Sequence, residues 1–236
     1  MGRIRGLVVA GCLLLAACGG GRTGPQHAAV DYKDFIKLGG SMYYVADHGV
    51  GRAIERGDLG PVFAVVRGNP PRNDPTLAYR AGDGDAAFLA PGSPVYRVKG
   101  YRPSFRLAAS HHGHLWLYEA NEAVDAQTGA DLLDLAGKVR YLSVNSGRVE
   151  LARIKDRGRV AELVQGVLEA PVGPTRGRAE ARYCFVVFNM VDQTAVRRAF
   201  FPETGELMPG VFAPRTFSEA VESALLGRQE RCGKSA

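Results

Sequence analysis

The stretch from Lys138 to Pro171, KVRYLSVNSGRVELARIKDRGRVAELVQGVLEAP, decides the fold class. Two apolar-rich runs, Lys138 to Val144 and Arg148 to Ile154, flank Asn145-Ser146-Gly147, a turn sequence that makes them a hairpin. The period then changes. Val160, Leu163, Val164, Val167 and Leu168 recur at i, i+3, i+4, i+7 and i+8, which lays one apolar stripe along a helix. Asp156 stands where it caps the first turn, and Pro171 and Pro174 bar continuation. A hairpin running straight into an amphipathic helix predicts an antiparallel sheet with helices on one face.

Toward the C-terminus the same theme recurs. Tyr183 to Val191 is apolar on both faces and reads as a central strand. Asp192-Gln193 turns the chain; Gln is a poor residue for a type I′ turn, so another turn type is expected. Thr194 to Phe201 returns, and Glu203 to Glu206 turns again. Thr216 with Glu219 forms a capping-box pattern for a last helix, with Phe217, Val221, Ala224 and Leu225 on its buried face and Gly227 at its end. Residues 125–228 therefore read as ββ-α-ββ-α, followed by a tail over 229–236.

Toward the N-terminus, residues 32–124 are a string of short strands. Asp34 to Leu38, Gly39-Gly40 and Ser41 to Val45 make a tight hairpin. Val62 to Val66 is a continuous apolar run expected to be buried on both faces. Ala86 to Leu89, Val95 to Lys99, Phe105 to Ala109 and Leu115 to Glu119 follow, with Gly, Pro and Asp turn signals between them. This half predicts a small sandwich or partly closed barrel. Asp125 to Gly137 is either one helical turn or a strand lead-in. The fold class is α+β, a short-stranded antiparallel β half followed by the ββ-α-ββ-α half.

What precedes the folded part carries its own signal. Arg3 and Arg5 are followed by an uncharged, mostly apolar run from Gly6 to Leu15, the length of a signal-peptide core and too short to span a bilayer. Leu15-Ala16-Ala17-Cys18 then reads as a lipoprotein cleavage and lipidation site, with cleavage between Ala17 and Cys18 and acylation of the Cys18 thiol. Val9-Ala10-Gly11-Cys12 also fits the pattern, but leaves an apolar core of only about six residues, below the usual roughly 7–15. Residues 1–17 are thus a signal peptide. Residues 18–31, beginning Gly19-Gly20-Gly21, are a flexible tether. The expected location is the extracytoplasmic face of the cell membrane.

The chain carries a formal charge of +6, or +4 once Arg3 and Arg5 leave with the signal. A basic protein at an anionic membrane or wall polymer is consistent with that charge. Export argues against a nucleic-acid partner. The expected partners are the membrane, through the lipid, and an envelope polymer or protein. Between Arg148 and Arg182, eight basic residues face five acidic ones. Export also places Cys184 and Cys232 in an oxidising compartment, where this remaining pair suits a disulfide.

Candidate chemistry is sparse. His111, His112 and His114 are the one concentration of metal-ligating side chains. A closed site would need help from His48, Glu119 or Glu122. The competing reading is a polar hairpin tip with Gly113 at the bend. Asp83 and Asp85 lack the oxygen set and late Glu of a calcium loop. No G-x-S-x-G, P-loop, H-E-x-x-H or C-x-x-C pattern occurs. Glu119 and Glu122 are the carboxylates a hydrolase reading would use.

The runs Asp34-Phe35-Ile36-Lys37, Gly82-Asp83-Gly84-Asp85-Ala86, Tyr96-Arg97-Val98-Lys99-Gly100-Tyr101 and Gly129-Ala130-Asp131-Leu132-Leu133-Asp134 resemble those of uncharacterised membrane-anchored lipoproteins of Gram-positive bacteria. The resemblance spans most of the chain after Cys18. It implies an anchored extracellular protein and brings no established activity, cofactor or catalytic residue. The leading expectation is a non-enzymatic binding or interaction module without a cofactor. A metal- or solute-capturing lipoprotein built on the three histidines comes second, and an extracellular hydrolase third.

Overall fold

The computed structural model describes residues 33–47, 49–69, 80–122, 125–175, 181–226 and 232–234. The lipidation site, the tether and Gly227 lie outside them. Two antiparallel sheets make an α+β protein. The first contains β1 (Phe35–Leu38), β2 (Ser41–Val45), β3 (Leu59–Val65), β4 (Pro94–Val98), β5 (Arg106–His111) and β6 (His114–Glu122), in the spatial order β1-β2-β6-β5-β4-β3. Gly39 and Gly40 have positive φ angles of 56° and 76°, and Leu38 pairs with Ser41. The turn is therefore a two-residue hairpin in the geometry that twisted strands favour.

Residues 84–87 join the two edges of this sheet. On one side Lys37 N donates to Asp85 O and Ala87 N donates to Phe35 O, at 2.8 and 3.0 Å. On the other, Arg67 N donates to Gly84 O and Ala86 N to Gly68 O, at 2.8 and 3.0 Å. The sheet is thus bridged into a small barrel. Of Ala86 to Leu89, expected as a strand, only Ala86 makes a bridge, to Ile36, because the chain serves both edges over residues 84–87 and then leaves them. Along β5 and β6 the side chains alternate: Leu107, Ala109, Tyr118 and Ala120 enter the barrel core with Ile36, Val66 and Leu89. Arg106, Ala108, Leu117 and Glu119 take the opposite face.

The expected double-sided burial of Val62 to Val66 is not found. Val62, Phe63 and Val65 are 51%, 39% and 49% exposed. β3 is the terminal strand of the order, so only part of its run reaches a core. Only Val66, just past the strand, is fully enclosed.

The second sheet contains β7 (Val139–Ser146), β8 (Val149–Ile154), β9 (Arg182–Met190), β10 (Ala195–Phe201), β11 (Glu206–Leu207) and β12 (Val211–Phe212), in the order β12-β11-β10-β9-β7-β8. A last strand, β13 (Gly233–Lys234), pairs with the start of β9. Helices α1 (Gly129–Leu132), α2 (Arg157–Glu169) and α3 (Arg215–Ala224) accompany it. The ambiguous segment 125–137 is resolved as a helical turn, closed by reciprocal capping between Thr128 and Asp131. The expected ββ-α-ββ-α order is not reproduced: α1 precedes β7, four strands rather than two separate α2 from α3 because the chain after β10 adds the short β11 and β12, and β13 follows.

α2 forms where its stripe places it. Asp156 Oδ1 accepts from Arg159 N at 2.8 Å, and Val160, Leu163, Val164, Val167 and Leu168 are all buried against the sheet. These join Val144, Val186, Phe188, Val196 and Phe200 in the larger core. Burying each such side chain is worth about 1.5–3 kcal/mol. α3 departs from its expected cap. It starts at Arg215 behind Pro214, and Glu219 accepts from Arg215 Nε at 2.7 Å rather than closing a box with Thr216. Among the described residues no helix is long and apolar enough to cross a membrane.

Candidate functional site

The outward face of β5 and β6 carries the largest concentration of buried charge in the described residues. Arg106 and Glu119 are cross-strand partners and are 0% and 4% exposed. Arg106 Nη2 donates to Glu119 Oε1 at 2.6 Å, and Arg198 of β10 donates from Nη1 to Glu119 Oε2 at 2.6 Å. One carboxylate therefore joins an arginine of the first sheet to an arginine of the second. Arg106 adds bonds to Thr194 Oγ1 (2.9 Å) and Ala195 O (3.1 Å), at the head of β10. Its guanidinium lies 4.6 Å from the Tyr101 ring centroid and 5.2 Å from that of Phe105. Aromatic faces favour such a desolvated cation.

The elements that hold this cluster are built locally. Phe105 and Arg106 donate backbone bonds to Arg102 O, so the chain enters β5 from a tight turn. That turn is tied to the α1 region, because Arg102 N donates to Asp134 Oδ2 at 2.8 Å. On the other side, β9 and β10 are joined by Val191-Asp192-Gln193. Gln193 N donates to Met190 O, Met190 N donates to Thr194 O, and Gln193 has φ 69°. This is a three-residue loop with a left-handed last residue, the alternative to the two-residue turn that Gln disfavours. Asp192 Oδ1 accepts from Thr194 N and Oγ1, and Asp192 Oδ2 accepts from Tyr101 OH at 2.9 Å. Burial pushes the Tyr101 phenol up to about 12.

Glu119 is pulled in two directions. Burial pushes its carboxyl up, but the guanidiniums of Arg198 and Arg106 outweigh burial and hold it below the usual carboxylate range. Glu119 is therefore a fixed anion with both oxygens engaged. Each oxygen accepts from a guanidinium in an enclosed site, so this arrangement acts as a lock between the sheets. The balance within the cluster is positive, and Arg106 Nε, Arg198 Nε and Arg198 Nη2 are buried without hydrogen-bond partners.

Beside the lock runs the loop after β2. Arg52 donates to Asp192 O (2.8 Å) through Nε and to both oxygens of Asp58 (2.7 and 2.8 Å). Gly51, at φ +74°, passes so near the β9–β10 loop that a Cβ would sit 2.7 Å from Ala195 N and 2.8 Å from Thr194 C. Only glycine fits both the angle and the approach. Between this loop, Leu115, Leu117 and Ala195 lies a pocket of about 170 Å³. That is below the roughly 300–1,000 Å³ of ligand sites.

His111 and His114 face each other across the β5–β6 hairpin, while His112 (φ 50°) and Gly113 (φ 77°) form its turn. His112 is thus in the turn, and His111 and His114 are the last and first residues of the two strands. The His111 ring packs 3.9 Å from that of His112 and 6.3 Å from Phe88. Among the described residues no three His, Cys, Asp or Glu side chains converge to hold a metal ion. His48 and the Glu122 side chain lie outside the description, as do Ala17 and Cys18. A disulfide joins Cys184 to Cys232, with Cα atoms 4.7 Å apart, and fixes β13 to β9. In the basic stretch, Arg153, Arg159 and Arg182 are paired with Glu150, Glu162 and Glu203.

Asp34 has a carboxyl raised by burial, despite accepting from Tyr118 OH at 3.1 Å. Its partner is a phenol, not the second carboxylate that a glycosidase-like site needs. Arg106 and Arg198 escaped the sequence reading. Part of the signal was present: Arg106 opens the apolar run Leu107-Ala108-Ala109, and Arg198 stands two residues from Val196 and from Phe200 in an apolar strand.

Comparison with protein-family models, curated protein sequences and solved structures finds no match to this chain.

Two predictions follow from the lock and its neighbour. Glu119→Gln leaves two buried guanidiniums uncompensated and is expected to cost about 3–5 kcal/mol in urea unfolding, whereas Arg106→Met/Glu119→Leu/Arg198→Met together cost less. A single-variant loss below about 1 kcal/mol would show that the cluster is solvated. Asp58 is held at about 2 by the hydrogen bond from Arg52, below its ordinary 3.8. Its stabilisation is present above pH 3.8 and disappears as pH falls toward about 2. Asp58→Asn should therefore cost about 1 kcal/mol at neutral pH after solvent screening, and the gap to the parent should close in acid.

Proposed function

We propose that the chain is a lipid-anchored protein of the extracytoplasmic membrane face, acting as a non-enzymatic binding or interaction module. The observation that carries this reading is Leu15-Ala16-Ala17-Cys18 directly behind Arg3, Arg5 and the apolar run from Gly6. The acylated Cys18 holds the folded part near the bilayer through a glycine-rich tether. The Cys184–Cys232 bond supports export, since disulfides persist in oxidising compartments. The ionised, fully engaged state of Glu119 favours binding over proton-transfer chemistry.

Lipidation is tested by growing a Gram-positive host that expresses the full chain with an alkyne-tagged fatty acid. The parent and Cys12→Ala should incorporate the tag and sediment with membranes. Cys18→Ala should incorporate none and retain the signal segment, seen as a larger mass. Continued labelling of Cys18→Ala would sink the assignment.

A further inference from the structure

A groove opens between the N-terminal half of α2, the start of β7 and the β9–β10 loop. Its volume is about 480 Å³, within the roughly 300–1,000 Å³ typical of ligand sites. The apolar lining comes from Leu135, Val139, Val160, Val164 and Val191. Val191 is 61% exposed at the start of the β9–β10 loop and carries the apolar lining out to the surface. The polar lining is Gln165, Arg140 and Arg157. Gln165 is engaged with Glu169. Neither arginine has a hydrogen-bond or ion-pair partner among the described residues, and no carboxylate lines the groove. Arg157 is also the first residue of α2, where the helix dipole adds positive potential.

An apolar trough with two free guanidiniums and no anion has a defined complement. The occupant needs an alkyl chain and an anionic head, and planar guanidinium forks match a carboxylate. The volume admits one chain and not the two of a phospholipid. The geometry points to a binding site for a free fatty-acid carboxylate, its chain along Val139, Ala161 and Val191 over the nearly enclosed Val160 and Val164, and its head on Arg140 and Arg157. This names a ligand class for the binding module proposed above, and rests on that reading. It does not depend on Cys18.

The test uses the full chain in phosphatidylcholine vesicles with a dodecanoic acid bearing a terminal diazirine, photolysed and mapped by peptide mass. Label is expected in peptides covering residues 135–140, 157–165 or 191, and excess dodecanoate should remove it. The diazirine amine of equal chain length should label at least tenfold less. Ala161→Trp, on the exposed lip, should abolish labelling, and Arg140→Gln/Arg157→Gln should reduce it about tenfold. Cys18→Ala should label like the parent, so failure of the anchor leaves this result standing. No labelling, labelling elsewhere, equal labelling by the amine, or no effect of the arginine pair would overturn the proposal. So would displacement by lysophosphatidylglycerol as readily as by dodecanoate, which would assign the site to a membrane lipid. Melting temperatures of the variants check folding; the arginine pair, both exposed, decides the matter if Ala161→Trp does not fold.

Discussion

Two guanidiniums share one carboxylate where almost no surface reaches solvent, and the junction of the two sheets depends on it. Arg106 and Glu119 come from neighbouring strands of the barrel, Arg198 from the second sheet. Bringing three charges out of water costs several kcal/mol per ion, so the cluster is not a source of net stability in itself. Its effect is conditional. Once the groups are buried, any sliding of one sheet over the other strands a charge. Hydrogen bonds at 2.6 Å tolerate little displacement, and so the cluster fixes registry where apolar contact alone would permit several arrangements.

The rest of the junction follows from that registry. Tyr101 and Phe105 flank Arg106 and also enter or abut the larger core, so the same turn carries both the polar lock and apolar contact with the helices. Asp192 and Thr194 complete the donor and acceptor count at the head of β10. Gly51 lets the loop after β2 lie against that head, and Arg52 joins it to Asp58. The binding groove inferred above lies on the other end of the β9–β10 loop's neighbourhood, beside Val191, and shares no lining residue with the lock. The proposed ligand surface and the locked junction of the two sheets thus share no residue.

Elements set by local pattern were legible in the sequence. The stripe of α2, its Asp156 cap, the Gly39-Gly40 hairpin and the central β9 strand each depend on spacing or on a single turn residue. Elements set by position in the sheet were not. The run Val62 to Val66 has the composition of a buried strand, yet sits at an edge, because composition does not encode neighbour order. Ala86 to Leu89 looks like a strand, yet only its first two residues pair, as part of the 84–87 staple between two edges. Thr216 with Glu219 obeys the capping pattern, but the helix starts two residues earlier, behind Pro214. The lock was half visible. Glu119 drew attention as a carboxylate, but only the fold shows that two arginines from distant sequence neutralise it.

The central claim is that the lock makes the two sheets one cooperative structure. Native-state hydrogen exchange tests it most directly, by comparing the slowest amides of β5 and β6 with those of β9 and β10. The account predicts equal opening free energies in both sheets, equal to the global unfolding free energy. Opening of β5 and β6 at a distinctly lower free energy, with β9 and β10 still protected, would contradict it.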